Sequence, residues 1–305
     1  TSRRAAQAAR RLRHQALDRL FVGSTGFSVA LVSSLIVLMV ISLAVFSWPA
    51  VQKAGWDILF GTDWNPSADS FGGLPFIAGT LITSVLALLI SLPFSLAISL
   101  FLGEYMKTGV LATIISSAIE LLAGIPSIIY GAWGLFVLVP LVQGWELTMV
   151  DQGVIPLGVS VLSASVLLAI MIVPYSASLA REVISMVPQD LKEAAYSLGG
   201  TRFSVVRKVT VPYAISGIFA GQLLAFGRAL GETMAVAMVI GNMNTIPDSL
   251  FSAGSSIASV IANEYAESSG THTAALTEIG LILFLITVLF GLAGRQIIKR
   301  LSVRG

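Results

Sequence analysis

The sequence contains no cysteine, which excludes disulfides, thiolate metal sites and thiol nucleophiles without identifying a compartment. Its two histidines, His14 and His272, are too far apart in the chain to suggest a metal pair, and neither G-x-S-x-G nor H-E-x-x-H occurs. The G-x-x-x-x-G-K-[ST] phosphate loop is missing too, so the chain does not bind ATP in the P-loop manner. Charge is scarce: 11% of the 305 residues are charged against 55% hydrophobic, and the mean hydropathy is +0.88. A soluble domain so composed would have too little charge to cover its surface, which places the chain in the membrane class. The net charge of +2 gives no sign of nucleic-acid binding, and no internal repeat or low-complexity segment stands out.

What is present in quantity is apolar sequence in long runs. A hydrocarbon core of about 30 Å takes about 20 helical residues. Six stretches reach that length, near 26–48, 76–103, 110–140, 157–180, 212–241 and 274–294. The expected fold is all-α: a polytopic membrane protein with six transmembrane helices over residues 26–305, preceded by a basic segment over 1–25.

Lys and Arg fix the expected orientation. Six Arg (Arg3, Arg4, Arg10, Arg11, Arg13, Arg19) precede the first stretch, Lys107 follows the second, and Arg181, Lys192, Arg202, Arg207 and Lys208 follow the fourth. With Arg295, Lys299, Arg300 and Arg304 after the sixth, sixteen of eighteen basic residues fall on one side, leaving Lys53 outside and Arg228 within a span. Both termini and the 186–211 loop are therefore expected in the cytoplasm. The first stretch has spanning length and no A-x-A-like cleavage site, so it reads as a retained span. The arginines before it are expected to lie against anionic headgroups, and the absence of Met at position 1 suggests a trimmed or incomplete start. On the other side, Trp48, Trp56 and Trp64 flank a turn-rich loop and are expected at the interface. The Ser-rich, acidic 242–273 loop is either a receiving surface for an external protein or a plain connector.

Charges inside spans need partners or water, since each costs about 2.5–3.5 kcal/mol at a helix centre on insertion scales. Glu120 falls in the third stretch, Glu278 near the outer end of the sixth, and Arg228 with Glu232 in the fifth. If that fifth helix is continuous, Arg228 lies near the bilayer centre and shares a face with Glu232, Gly221, Ala225 and Ala235. Small residues let another helix approach, so the face looks into the protein or a water-filled path. Arg228 and Glu232 then form either a buried ion pair holding the bundle or a contact for a passing anion, with Glu120 as a competing partner. Gly124-Ile125-Pro126-Ser127 is expected to kink or break the third stretch, and irregular backbone there either lines a cavity, with Ser127 facing it, or serves packing.

Glu193 to Pro212 reads EAAYSLGGTRFSVVRKVTVP, a polar insert too regular for a solvated linker. Its spacing, E-A-A-x3-G-x9-V-x-V-P, resembles the EAA loop of ABC importer permeases, with Val209 and Val211 where Ile and Leu are usual. Gly227–Asn242 (GRALGETMAVAMVIGN), Ala123–Leu135 (AGIPSIIYGAWGL) and Ala262–Phe284 (ANEYAESSGTHTAALTEIGLILF) are similar to PstC-type permeases of the bacterial phosphate ABC importer, from roughly residue 75 onward. The resemblance implies a type I importer permease fold with a cytoplasmic coupling helix, in the bacterial plasma (inner) membrane. It implies a non-catalytic subunit that binds no cofactor itself. Its partners would be a PstA-type permease, two PstB-type ATPase subunits using ATP and Mg, and an external PstS-type phosphate-binding protein. Glu193, Ala194, Ala195 and Gly199 would couple to the ATPases, with Tyr196, Leu198 and Phe203 in contact. Arg228 and Glu232 match residues associated with the translocation path, and Glu120, Ser127 and Glu278 are further path candidates. The alternatives are a molybdate or sulfate permease, an anion channel, and an intramembrane enzyme using Glu120 and Glu232 as acid and base.

Overall fold

The computed structural model describes the backbone of residues 2–302 and the side chains of residues 20–301. The six N-terminal arginines and Arg304 lie outside the described side chains, and with them the expected headgroup contact. In chain order the helices are α1 (Ser2–Ala54), α2 (Asp57–Phe60), α3 (Leu74–Tyr105), α4 (Val110–Gly124) and α5 (Ser127–Gln152). They continue with α6 (Val161–Ser185), α7 (Gln189–Ser197), α8 (Arg202–Leu230), α9 (Met234–Val239), α10 (Ile257–Glu264) and α11 (Thr271–Ser302). A two-residue hairpin, β1 (Trp64–Asn65) against β2 (Ser70–Phe71), sits between α2 and α3.

Six helices among the described residues are long and apolar enough to cross a membrane: Leu20–Ala54 of α1, then α3, α5, α6, α8 and Thr271–Leu301 of α11. The chain is an all-α, multi-pass membrane protein, as the hydrophobic runs led one to expect. Within α6, 67% of the most apolar window is buried, against none of the α1 window, so α6 is the centre of the bundle and α1 its periphery. Leu167, Leu168, Met171 and Ile172 of α6 are buried against Ala87 of α3, Ala225 and Ala229 of α8 and Val236 of α9. Small residues bring the backbones together: a Cβ at Gly217 of α8 would stand 2.4 Å from Val183, and one at Gly221 would stand 3.2 Å from Leu179.

Two expected spans are cut. The 110–140 stretch is not one helix: α4 ends at Gly124, Ile125 and Pro126 are extended, and the spanning helix starts at Ser127. Proline lacks a donor and pushes its predecessor out of the helical region, so the break falls where the sequence placed it. The 212–241 stretch is divided at Gly231–Thr233 into α8 and α9. At its other end, α8 begins at Arg202, ten residues before the expected boundary, with Thr201 accepting from the Ser204 amide. Pro212 is tolerated inside it because the wider π turn Val206–Thr210 comes immediately before and absorbs the missing hydrogen bond.

The 49–75 and 242–273 loops are folded pieces. Trp48 and Trp56 are exposed, as interfacial anchors would be, but Trp64 is buried. The hairpin turns Trp64 inward against Phe71 and Phe76, with ring centroids 5.3 and 5.0 Å away, and its indole N–H donates to Glu264 at 2.9 Å. The 242–273 segment is ordered too: Ser256 and Ser259 cap α10 reciprocally, and the Ile257 amide donates to Thr80 at 2.9 Å.

Candidate functional site

The two breaks meet in the middle of the bundle, where α5 and α9 pack so closely that a Cβ at Gly131 would stand 3.0 Å from the Ala235 Cα. The end of α4 leaves carbonyls without helical partners, which hydrocarbon does not satisfy. Two tyrosines donate at this end: Tyr130 of α5 to the Leu122 carbonyl at 2.9 Å, which also accepts the Ile125 amide at 3.3 Å, and Tyr175 of α6 to the Ala123 carbonyl at 2.6 Å. Tyr175 is thereby fixed, and its ring carries the guanidinium of Arg228, 4.2 Å from ring centroid to Cζ. Arg228 sits in the last turn of α8, over the Tyr175 ring near the middle of α6.

Of the alternatives open for Arg228, the ion pair is absent. Among the described residues the ion pairs are Lys53–Asp69, Lys192–Glu104 and His272–Glu264, so no carboxylate lies within 4.0 Å of Arg228. Its Nε is buried without a hydrogen-bond partner. Gly221 and Ala225 do share its face of α8, but Glu232 and Ala235 do not, because α8 ends at Leu230 and the 100° progression stops there. Glu232 instead turns its carboxylate to the start of α9, 3.5 Å from the Ala235 amide. Ser127, half-buried, opens α5 beside the same break, one turn before Tyr130.

Glu120 and Glu278 lie elsewhere. Glu120 is exposed on α4, one turn inward of Ala123, and lines a cavity of about 360 Å³ with Arg181 and Lys107. Glu278 is 6% exposed and lines a separate cavity of about 400 Å³ with Trp56, Leu59 and Leu281, among α1, α2 and α11. It shares no element with the Arg228 cluster.

Between α6 and α8, α7 carries the EAA sequence. Glu193 and Ala194 are exposed and Ala195 is half-buried. The helix closes at Gly199, whose φ of +81° is open to glycine and costly for other residues, and the Gly200 amide returns to the Ala195 carbonyl at 3.1 Å. Leu198 is 90% exposed and Phe203 66%, a large apolar surface on a polar loop. Beneath it, Lys192 of α7 forms an ion pair with Glu104 at the end of α3, and both are buried. Arg202 donates to the carbonyls of Glu104 and Tyr105, each at 2.9 Å, and its guanidinium lies over the Tyr105 ring at 4.6 Å. Tyr130, Tyr175, Glu104 and Lys192 escaped the sequence reading, since their partners lie far off in the chain. The one available signal was Glu104 itself, a carboxylate just past an apolar run.

Residues 95–303 match the family described as the binding-protein-dependent transport system inner membrane component. A phosphate transport system permease protein PstC from Pasteurella multocida is 44% identical, the alignment covering 96% of this chain and 95% of that one. The chain belongs to the PstC permease family. Coverage that wide takes the similarity well into the first 75 residues, further than the motifs suggested. A probable phosphate transport system permease protein PstC from Methanocaldococcus jannaschii is 36% identical over 83% of this chain and 84% of that one. Among solved structures, an inward-facing MetNI methionine ABC transporter matches with a TM-score of 0.56 at 19% identity, over 81% of this chain and 96% of that one. A bacterial ABC transporter involved in the import of alginate also gives 0.56, at 15% identity over 88% and 95%. The fold is that of type I ABC importer permeases.

Proposed function

We propose that this chain is the phosphate-translocating permease subunit of an ATP-driven importer in a bacterial plasma membrane, with both termini cytoplasmic. The observation that carries the substrate role is Arg228: a guanidinium at mid-bundle, held by a tyrosine ring, with no carboxylate within 4.0 Å. An intramembrane cation is costly unless something compensates it. A guanidinium fork matches two oxygens of a phosphate, so a passing oxyanion supplies that compensation. Glu232, at the neighbouring break, keeps the site from holding the anion too tightly, and Ser127 adds a hydroxyl at the start of α5. Glu120 belongs to the inner part of the path, while Glu278 is left out because its cavity lies with α1 and α2.

Relatives bearing the PstC name are phosphate transport permeases, and that supports phosphate over molybdate or sulfate. The rest of the assembly follows from the same reading: a PstA-type permease, two PstB-type ATPases and a PstS-type binding protein. ATP and Mg are used by the ATPases, and this chain binds no cofactor. Glu193, Ala194, Ala195 and Gly199, with the exposed Leu198 and Phe203, form the ATPase contact. The test is uptake of labelled phosphate by the reconstituted complex, with sulfate and molybdate as competitors. ATP-dependent uptake that only phosphate competes supports the reading. Conduction without ATP, or preference for another oxyanion, overturns it.

A further inference from the structure

Below Arg228 the polar residues of α4 and α6 run in register. Tyr175 meets Ala123 through its hydroxyl, and six residues further along α6, Arg181 donates to Ser116, seven residues back along α4, at 2.6 Å. The two contacts fit antiparallel helices, since six and seven residues at 1.5 Å each advance about 9 and 10.5 Å. Between and beside them, Ser178, Glu182, Glu120 and Lys107 stand on the wall of the 360 Å³ cavity, which Leu102 and Gly103 of α3 also line. Tyr175, Ser178 and Glu182 recur at helical spacing on α6, and Glu120 and Ser116 lie at helical spacing on α4, so polar side chains of both helices face the cavity on the side of Arg228's support.

Arg181 was expected in the cytoplasmic loop, but α6 continues to Ser185 and holds it inside the helix. Its recorded bond is to a hydroxyl, and it belongs to none of the ion pairs among the described residues although Glu120 and Glu182 line the same cavity. A hydroxyl fixes a guanidinium without neutralising it, which leaves its charge for an anion. The space suits one: a cavity of about 360 Å³ is many times what a single water needs. The two carboxylates keep the site weak, as a site that must release its ion requires.

We infer that this α4–α6 cavity is a second oxyanion site, in which Arg181 takes inorganic phosphate from Arg228, whose Tyr175 support lies about 9 Å back along α6, on its way to the cytoplasm. The inference rests on the transport reading above. Because the chain has no cysteine, Ser178→Cys puts a single thiol in the cavity of a complex assembled with cysteine-free partners. Its labelling by a small thiol reagent is followed in inside-out vesicles, with and without inorganic phosphate, in the Arg181 and the Arg181→Gln backgrounds. Phosphate is expected to slow labelling severalfold with Arg181 and not with Arg181→Gln. Separately, Arg181→Gln is expected to lower maximal uptake tenfold or more with the external half-saturation unchanged, and Arg181→Lys to recover part of it. Labelling that ignores phosphate, or protection that survives Arg181→Gln, overturns the second site. A purely structural tether predicts that Ser116→Ala, which frees Arg181, abolishes uptake as fully as Arg181→Gln, and that result also overturns it. Protection is read without turnover, so it can fail while the transport reading stands, which is tested at Arg228 on its own.

Discussion

Glu104→Gln removes the charge that compensates Lys192, a lysine only 1% exposed at the root of the EAA helix. Removing one partner of a buried pair costs about 3–5 kcal/mol, because the other charge stays buried and alone. Glutamine keeps the size and one acceptor oxygen, so the lower end applies, about 3 kcal/mol. The two Arg202 bonds go to backbone carbonyls and survive the change, so the loss falls on α7 and spares the start of α8. At about 1.4 kcal/mol per tenfold, the α7 opening equilibrium should rise about a hundredfold. Amide hydrogen exchange on the purified complex reads that directly, because exchange in α7 tracks local opening. The expected result is faster exchange over 189–199 with little change in α6. The variant should also retain less ATPase on purification, and the double change Glu104→Leu with Lys192→Met should restore most of the protection. Unaltered exchange in α7 of Glu104→Gln would refute the reasoning.

Gly199→Trp should leave the spans inserted and weaken ATPase association. The cost comes from the φ of +81° and from bulk on the exposed surface, since no atom lies within 4 Å of where a Cβ would stand. A normal ATPase ratio on co-purification, with normal uptake, contradicts it. A tag at Gly200 should be shielded from impermeant reagents in intact cells and one at Ser268 should react; labelling at Gly200 overturns the inside placement of the EAA loop. Tyr175→Leu removes both the ring under Arg228 and the donor to the Ala123 carbonyl, leaving a polar group unpaired at about 1–3 kcal/mol. Uptake should fall at least tenfold while assembly persists; full uptake would show that the ring does not position Arg228.

The hydrophobic runs made the spans legible, and the positions of breaks were legible only where a residue type enforces them. Gly124-Ile125-Pro126 announced itself through proline. The break at Gly231–Thr233 has no proline and is flanked by apolar segments, so the stretch read as one helix although Gly231 and Glu232 interrupt its hydropathy. That reading put Glu232 on the face of Arg228 and kept an ion pair open as an alternative, because a shared face exists only while the helix continues. Arg228 itself stood out as a lone base in an apolar run. Its support, Tyr175, did not, since a tyrosine in a span looks like any other aromatic until the chain brings it opposite a free carbonyl. Boundaries misplaced by a few residues hid the rest: a fourth span ending at 180 left Arg181 in the loop, and a second ending at 103 left Glu104 out of the bundle.

The most direct measurement is ATP-dependent phosphate uptake by a reconstituted Arg228→Gln complex whose subunit ratio has been verified. A charged hydrogen-bonding contact is worth about 1.5–3 kcal/mol, so losing it should reduce uptake about tenfold to a hundredfold or more. Arg228→Lys should fall between, keeping the charge without the fork. Glu232→Gln added to Arg228→Gln should not restore transport, because the two side chains are not an ion pair. Wild-type uptake by an assembled Arg228→Gln complex, or rescue by the double change, contradicts the account.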